Sequence, residues 1–227
     1  MWNLGGGVNY DIVRWDIPAL RGGSALLGDP GLSTWAYFNS DSRHKLQISG
    51  SFNAGLVPAS ATWSTGGEVG AQIQARPNLE LFLGPSLSVN EDDRQYVEEV
   101  ADNAGDTHYI FGRIRQVTAA MTLRMSWTLT PNLGFQLYAQ PFMSTGAYSD
   151  YKDADQTARS NYNDRFYHYS DSDLTRSDDA IAVSRDRSGR NAYTFSRPDF
   201  GFQEMRSTLV VRWQYRPGST IFAIWSH

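Results

Sequence analysis

Hydrophobic positions recur at every second residue over most of the chain. In residues 45–56 the even positions are Leu46, Ile48, Gly50, Phe52 and Ala54, and the odd ones are Lys45, Gln47, Ser49, Ser51 and Asn53. In 61–75 the apolar set Ala61, Trp63, Val69, Ala71 and Ile73 alternates with Thr62, Ser64, Glu68, Gln72 and Gln74. In 117–129 Val117, Ala119, Met121, Leu123, Met125, Trp127 and Leu129 alternate with Thr118, Thr122, Arg124, Ser126 and Thr128. A helix would scatter these residues around its circumference, whereas period two gives a strand with one apolar face. The same reading predicts strands at 2–12, 33–40, 79–89, 133–147, 202–215 and 220–225, which makes nine.

The connections alternate in kind. Tight turns occur at Asp41-Ser42-Arg43, Arg76-Pro77-Asn78, Thr130-Pro131-Asn132 and Arg216-Pro217-Gly218-Ser219. Pro and Gly there end one strand and start the next. Long links are predicted at 13–32, 90–107 and 148–201, with a short exception near 56–60. Short turns on one side and long loops on the other describe an up-and-down transmembrane β-barrel, all-β and antiparallel, with periplasmic turns and extracellular loops. If 76–78 and 130–132 are both periplasmic, 108–130 is a single descending strand that reaches well beyond the membrane. A water-soluble sandwich or lipocalin-like barrel shares the alternation. Three features favour the membrane. The polar parity is rich in Gly, Ser, Thr, Gln and Asn. The strand charges Lys45, Glu68, Glu80, Arg124 and Arg212 all fall on it; with Gln136 they are the candidates for the lumen-facing wall. Aromatics gather near the tight turns (Trp35, Tyr37, Trp127, Phe135, Trp213, Tyr215), with Trp63 at the opposite rim, as interface belts require.

Composition narrows the chemistry. The 227 residues are 41% hydrophobic and carry a net charge of -4, with a mean hydropathy of -0.46. No window approaches the roughly 18 apolar residues of a spanning helix, which leaves strands as the route across a bilayer. No basic stretch is interleaved with aromatics, so a nucleic-acid partner is not expected. Zero cysteines remove thiol catalysis, Cys-ligated metal and disulfides. Met1-Trp2-Asn3 runs straight into patterned sequence, so any export signal is expected upstream or already removed. The histidines His44, His108, His168 and His227 share no metal-pair spacing, and no nucleophile elbow or phosphate loop is present. No catalytic residue, cofactor or metal is therefore expected. The rival is an outer-leaflet hydrolase using His108 with Asp106 and a nearby serine.

Residues 149–197 form the longest predicted loop, extracellular in this reading. Its aspartates (among them Asp150, Asp153, Asp155, Asp164, Asp171, Asp173, Asp178, Asp179 and Asp186) alternate with Arg159, Arg165, Arg176, Arg185, Arg187 and Arg190, and with Tyr151, Tyr162, Tyr167 and Tyr169. Asp171-Ser172-Asp173 begins like a calcium loop, but positions six and twelve are Arg176 and Ala182, which rejects an EF-type site. A solvated, mixed-charge loop partly ordered by its aromatics is expected. Arg113 and Arg115 lie on the lipid-facing parity, above the hydrocarbon, where they are solvated or meet lipopolysaccharide phosphates.

The run Leu129-Thr130-Pro131-Asn132-Leu133-Gly134-Phe135-Gln136-Leu137-Tyr138-Ala139-Gln140-Pro141-Phe142, continued by Ser144-Thr145-Gly146-Ala147-Tyr148, resembles a large, uncharacterised family of bacterial envelope proteins. So do the run from Met205 to Thr220, Leu20-Arg21-Gly22-Gly23 and Gln95-Tyr96-Val97. Members join an N-terminal module similar to family 9 carbohydrate-binding domains to a C-terminal outer-membrane barrel of unknown function. The resemblance implies that residues 1–227 are part of a larger barrel, without the module, the earlier strands or the final strand. It also implies outer-membrane lipid and lipopolysaccharide, the remaining strands or other envelope subunits, and a glycan ligand as partners. The function expected is a non-enzymatic outer-membrane pore, uptake channel or anchor linked to glycan binding. The alternatives are a structural subunit of a larger envelope assembly and the hydrolase above.

Overall fold

The computed structural model describes every residue except 186–188 and 190. The Asp186, Arg187 and Arg190 members of the long acidic and basic loop therefore lie outside the described residues. The chain is mostly strand, in the order β1 (Asn3–Asp11), β2 (Trp15–Asp16), a 3-10 turn (Pro18–Leu20), β3 (Leu26–Leu27), β4 (Gly31–Asn39), β5 (Leu46–Leu56), β6 (Trp63–Arg76), β7 (Leu79–Ala101), β8 (Thr107–Thr130) and β9 (Leu133–Ala154). A second 3-10 turn (Asn163–Arg165) is followed by β10 (Phe166–His168), β11 (Leu174–Arg176), β12 (Ala180–Ser184), β13 (Ala192–Ser196), β14 (Phe200–Arg216) and β15 (Ser219–Ser226).

Antiparallel pairing builds one main sheet in the order β1-β4-β5-β6-β7-β8-β9-β14-β15, with β10 added to β9. The four predicted tight turns join β4 to β5, β6 to β7, β8 to β9 and β14 to β15 at one end. The sheet is open: among the described residues β1 and β15 are not paired with each other. An all-β antiparallel meander of nine long strands thus stands as the pattern predicts, but no closed barrel forms within it.

Register explains the alternation. Leu56↔Trp63, Ala54↔Thr65, Ile48↔Ala71 and Leu46↔Ile73 lie on one face of β5 and β6. That face continues through Leu81↔Met125, Leu83↔Leu123, Leu87↔Ala119 and Val89↔Val117 of β7 and β8. The opposite face carries Gln47↔Gln72, Ser51↔Glu68, Ser88↔Thr118 and Asn90↔Gln116. Among the described residues no protein layer covers the apolar face: Val69 is 55% exposed and Leu87 56%. In water each such side chain forgoes roughly 1.5–3 kcal/mol of burial.

Two predicted loops change. The expected loop at 90–107 is mostly strand, because β7 runs to Ala101 and β8 begins at Thr107. The acidic run Glu91-Asp92-Asp93 looks like loop, yet Glu91 and Asp92 pair with Arg115 and Ile114 of β8, and two bulged irregularities follow, between Asp92 and Gln95 and between Tyr96 and Glu98. β8 itself is the single segment predicted for 108–130, and its 24 residues at about 3.3 Å each carry it well beyond the ends of the shorter strands β4 and β5. The 149–197 loop is folded: β9 continues to Ala154, and β11–β13 form a three-stranded sheet.

The buried cores sit at this projecting end, on both faces of β8. Ile110 belongs to a cluster with Tyr151, Leu174, Ile181, Val183, Tyr193 and Phe195. Its neighbour Phe111 belongs to another, with Leu20, Leu26, Tyr162 and Phe166. Adjacent strand residues face opposite ways. The first cluster therefore stands above the polar face and the second above the apolar face. One aromatic expectation is overturned by the same register. Trp35 and Tyr37 pair with Asn53 and Ser51, which puts them on the polar face and outside any lipid belt; their rings stack 5.9 Å apart over Gly7 and Gly5. Trp127, Phe135 and Trp213 do lie on the apolar parity beside tight turns.

Candidate functional site

The polar face carries the first candidate site. Glu80 pairs with Ser126, Phe82 with Arg124, Arg124 with Tyr138 and Ser126 with Gln136. Three adjacent strands thereby gather Glu80, Arg124 and Gln136 around a recess of about 430 Å³ that also includes Gln72, Phe82, Tyr138 and Thr208. Arg124 lies between two rings, its guanidinium 5.7 Å from the centroids of both Phe82 and Tyr138. Stacking of this kind holds a planar cation while leaving its edge N–H donors available. Gln72 donates to Glu80 at 2.7 Å, and Tyr138 donates to Gln140 at 2.9 Å. The ring of Phe82 lies over Gly84, where a Cβ would come within 2.8 Å of it.

Arg212 lines an adjoining recess that shares Ser126, Gln136 and Val210 with the first and adds Phe222. Glu68 lies on the same face but apart, beside Tyr37, Ser51 and Gly70. Lys45 precedes β5, where its carbonyl accepts from Gln74 N–H at 2.7 Å, and it joins none of these recesses. Glu80, Arg124, Gln136 and Arg212 are thus brought together, while Glu68 and Lys45 are not.

The projecting end holds two charged clusters. Beneath β11–β13, His108 Nδ1 lies 2.5 Å from Asp153 and Nε2 lies 3.5 Å from Asp102. Tyr193 stacks on the imidazole at 4.5 Å, and Arg185 completes the group at 2.9 Å from Asp153. Burial pushes the Tyr193 phenol up to about 12. Asp153 thus holds the Nδ1 side of the ring, while Nε2 is buried without a hydrogen-bond partner among the described residues. Asp106, the partner anticipated for His108, instead accepts the Asp102 main-chain N–H on its carbonyl and donates its own N–H to the Asp102 carboxylate.

On the other face, Asp93 receives Lys152 at 2.8 Å, Arg113 at 3.0 Å and the Tyr162 hydroxyl at 2.6 Å. Arg113 also pairs with Asp150 at 2.7 Å, so it is engaged by carboxylates and neither solvated alone nor free for lipid phosphate. Arg115 remains exposed. A third junction ties two loops: buried Arg165 reaches both oxygens of Asp29, at 2.6 and 2.9 Å, and the carbonyls of Leu27, Arg159 and Ser160. The aspartates of the calcium-like start serve their own turn, Asp171 pairing with Arg176 and Asp173 accepting from Ser170.

Residues 1–227 match the family described as Domain of unknown function (DUF5916). The chain belongs to that family. No curated protein and no solved structure matches it.

In this DUF5916 chain the residues that sequence reasoning passed over are Phe82 and Tyr138. Both share the parity of charged or amide neighbours, Glu80 and Gln136, and that was the available signal. It was masked because aromatics on strands are ordinarily read as apolar-face residues.

Proposed function

We propose that the chain forms the membrane-spanning wall of a bacterial outer-membrane β-barrel, non-enzymatic, whose polar face lines an aqueous path for polar solutes such as glycans. One observation carries the reading. The apolar face is continuous, uncovered by protein, and ends abruptly where Val89↔Val117 gives way to Glu91↔Arg115. From Leu129 to Val117 β8 presents only apolar residues on that parity. At a tilt of about 45° this stretch rises close to the ~25 Å of an outer-membrane apolar band. Outer-membrane lipid and lipopolysaccharide are the partners such a face requires. The polar face supports the solute path: rings, amides and a stacked guanidinium in one recess suit sugar hydroxyls and ring faces.

The unpaired edges of β1 and β15 favour a second reading, in which the sheet closes with other strands as a structural subunit of a larger envelope assembly. Backbone groups on an open edge cannot be left unsatisfied in hydrocarbon. Single cysteines at Leu123 and Arg124 test the central claim, since the chain has none of its own. A bilayer-phase quencher should reach a label at 123, and a membrane-impermeant reagent should modify 124. A dry or aqueous signal at both sites sinks the membrane reading. Labelling of cysteines at Asn3 and Ala223 in the intact assembly separates closure with other strands from a free edge.

A further inference from the structure

A separate recess, of about 240 Å³, lies between the 12–30 loop and the bulged part of β7, bordered by Asp16, Arg21, Asp92, Arg94, Tyr96 and Phe111. It belongs to neither the polar-face site nor the ion clusters. Its distinguishing feature is Arg94. The Nε and Nη1 atoms of this side chain are shielded from solvent and have no hydrogen-bond partner among the described residues. These two nitrogens have lost water without gaining an acceptor, which proteins ordinarily avoid. The bulge between Asp92 and Gln95 fixes this orientation: the Asp92 carboxylate accepts the Arg94 main-chain N–H at 2.9 Å and the Thr62 hydroxyl at 3.4 Å, not the Arg94 side chain. Arg21 supplies a second cation, its guanidinium 4.5 Å from the Tyr96 ring centroid, and that ring is braced edge-on by Phe111 at 5.8 Å.

We propose that this recess binds a phosphorylated sugar. A planar guanidinium fork matches phosphate oxygens bidentately, and Arg21 adds charge beside it. Asp16 and Asp92 would repel a bare polyanion, so they select a ligand that also brings hydroxyl donors, as a sugar phosphate does. The volume is below the roughly 300–1,000 Å³ of sites for drug-sized ligands, which suits a single substituted sugar. Tyr96 and Phe111 share the parity of Arg113, Arg115 and Val117, directly above the apolar face. The same chemistry could arrive on a phosphorylated glycolipid or as a soluble sugar phosphate. The lipid-borne source rests on the membrane reading, and the site itself does not.

Calorimetry on the full chain in detergent, with glucose 1-phosphate, glucose and inorganic phosphate as separate probes, tests the site. Glucose 1-phosphate should bind more tightly than inorganic phosphate, and glucose should not register. Arg94→Gln should weaken glucose 1-phosphate at least about tenfold, the scale of one charge-assisted hydrogen bond. Arg21→Gln should weaken it as well, and this variant serves if the first fails to fold. Equal binding of glucose and glucose 1-phosphate, or no effect of either substitution, overturns the proposal. Native mass spectrometry from phosphatidylcholine nanodiscs with and without lipid A then assigns the source. Lipid A adducts that vanish in Arg94→Gln mark a glycolipid ligand, and adducts unchanged beside lost glucose 1-phosphate binding mark a soluble one. Should the cysteine labels at 123 and 124 refute the membrane, the calorimetric outcome still decides the site.

Discussion

At the residue scale the energetics concentrate at Asp93. Burial alone pushes its carboxyl up, but hydrogen bonds from Lys152 and Tyr162 outweigh burial and hold it below the ordinary value of 3.8. A carboxylate with a depressed folded value stabilises the fold above its unfolded value, and the contribution fades as pH falls through the folded one. The projecting end should therefore loosen below about pH 3.8, visible as loss of near-ultraviolet circular dichroism from its tyrosines. Asp93→Asn should abolish that acid step while lowering stability at neutral pH. Lys152 is fully buried, so Lys152→Met leaves the Asp93 carboxylate with Arg113 as its remaining cation and should cost up to about 3–5 kcal/mol, the scale for breaking a buried pair. In the double variant Asp93→Asn, Lys152→Met part of that loss should return, because no buried charge is left without its partner. Additive losses in the cycle would mean that the two side chains are not coupled.

At the element scale β8 carries two environments along one strand. If its apolar parity meets hydrocarbon, Leu123→Arg should destabilise the lipid-folded protein by about 2–4 kcal/mol, while Thr122→Arg on the polar parity should change it little. Denaturant titration in lipid vesicles reads both. The 12–30 loop depends on Arg165 in the same way that the strand depends on parity. Arg165→Lys cannot reproduce the contacts to Asp29 and three carbonyls, so it should expose the loop to protease much as Arg165→Ala does. These elements differ in how legible they are in sequence. β5, β6 and β8 announce themselves by strict alternation because one face is uniformly apolar. The upper half of β7 does not, since Glu91, Asp92, Asp93 and Arg94 lie beyond the apolar positions and lead into bulges that break the period. The β11–β13 sheet was hidden for another reason. Ile181 and Val183 do alternate with Ala182, but the run is short and set among charges, and its burial comes from Ile110 and Tyr151 far away in sequence. Parity likewise placed Arg124 beside Glu80 and Gln136, while the recess at Arg94 depends on a bulge and on a loop folding back, neither of which has a sequence period.

At the scale of the whole molecule the two cores divide labour by face. The cluster containing Ile181 stands over the polar face, and the one containing Leu20 stands over the apolar face. If the polar face lines a passage, the β11–β13 sheet overhangs its outer end and the Leu20 cluster does not. Ile181 and Leu20 are equally buried, each 2% exposed, so a charge introduced at either should disrupt its own cluster comparably. Ile181→Asp should then raise single-channel conductance in a planar bilayer by loosening the overhang, while Leu20→Asp should leave conductance near that of the parent chain. Arg124→Glu, deep on the polar face, should shift the channel toward cations without opening it further. Equal conductance changes from Ile181→Asp and Leu20→Asp would show that the sheet does not guard the passage. Silence from the parent and all three variants would leave the polar face as a filled interior and the chain as an anchor, because a wall that conducts must respond to a reversed charge in its lining.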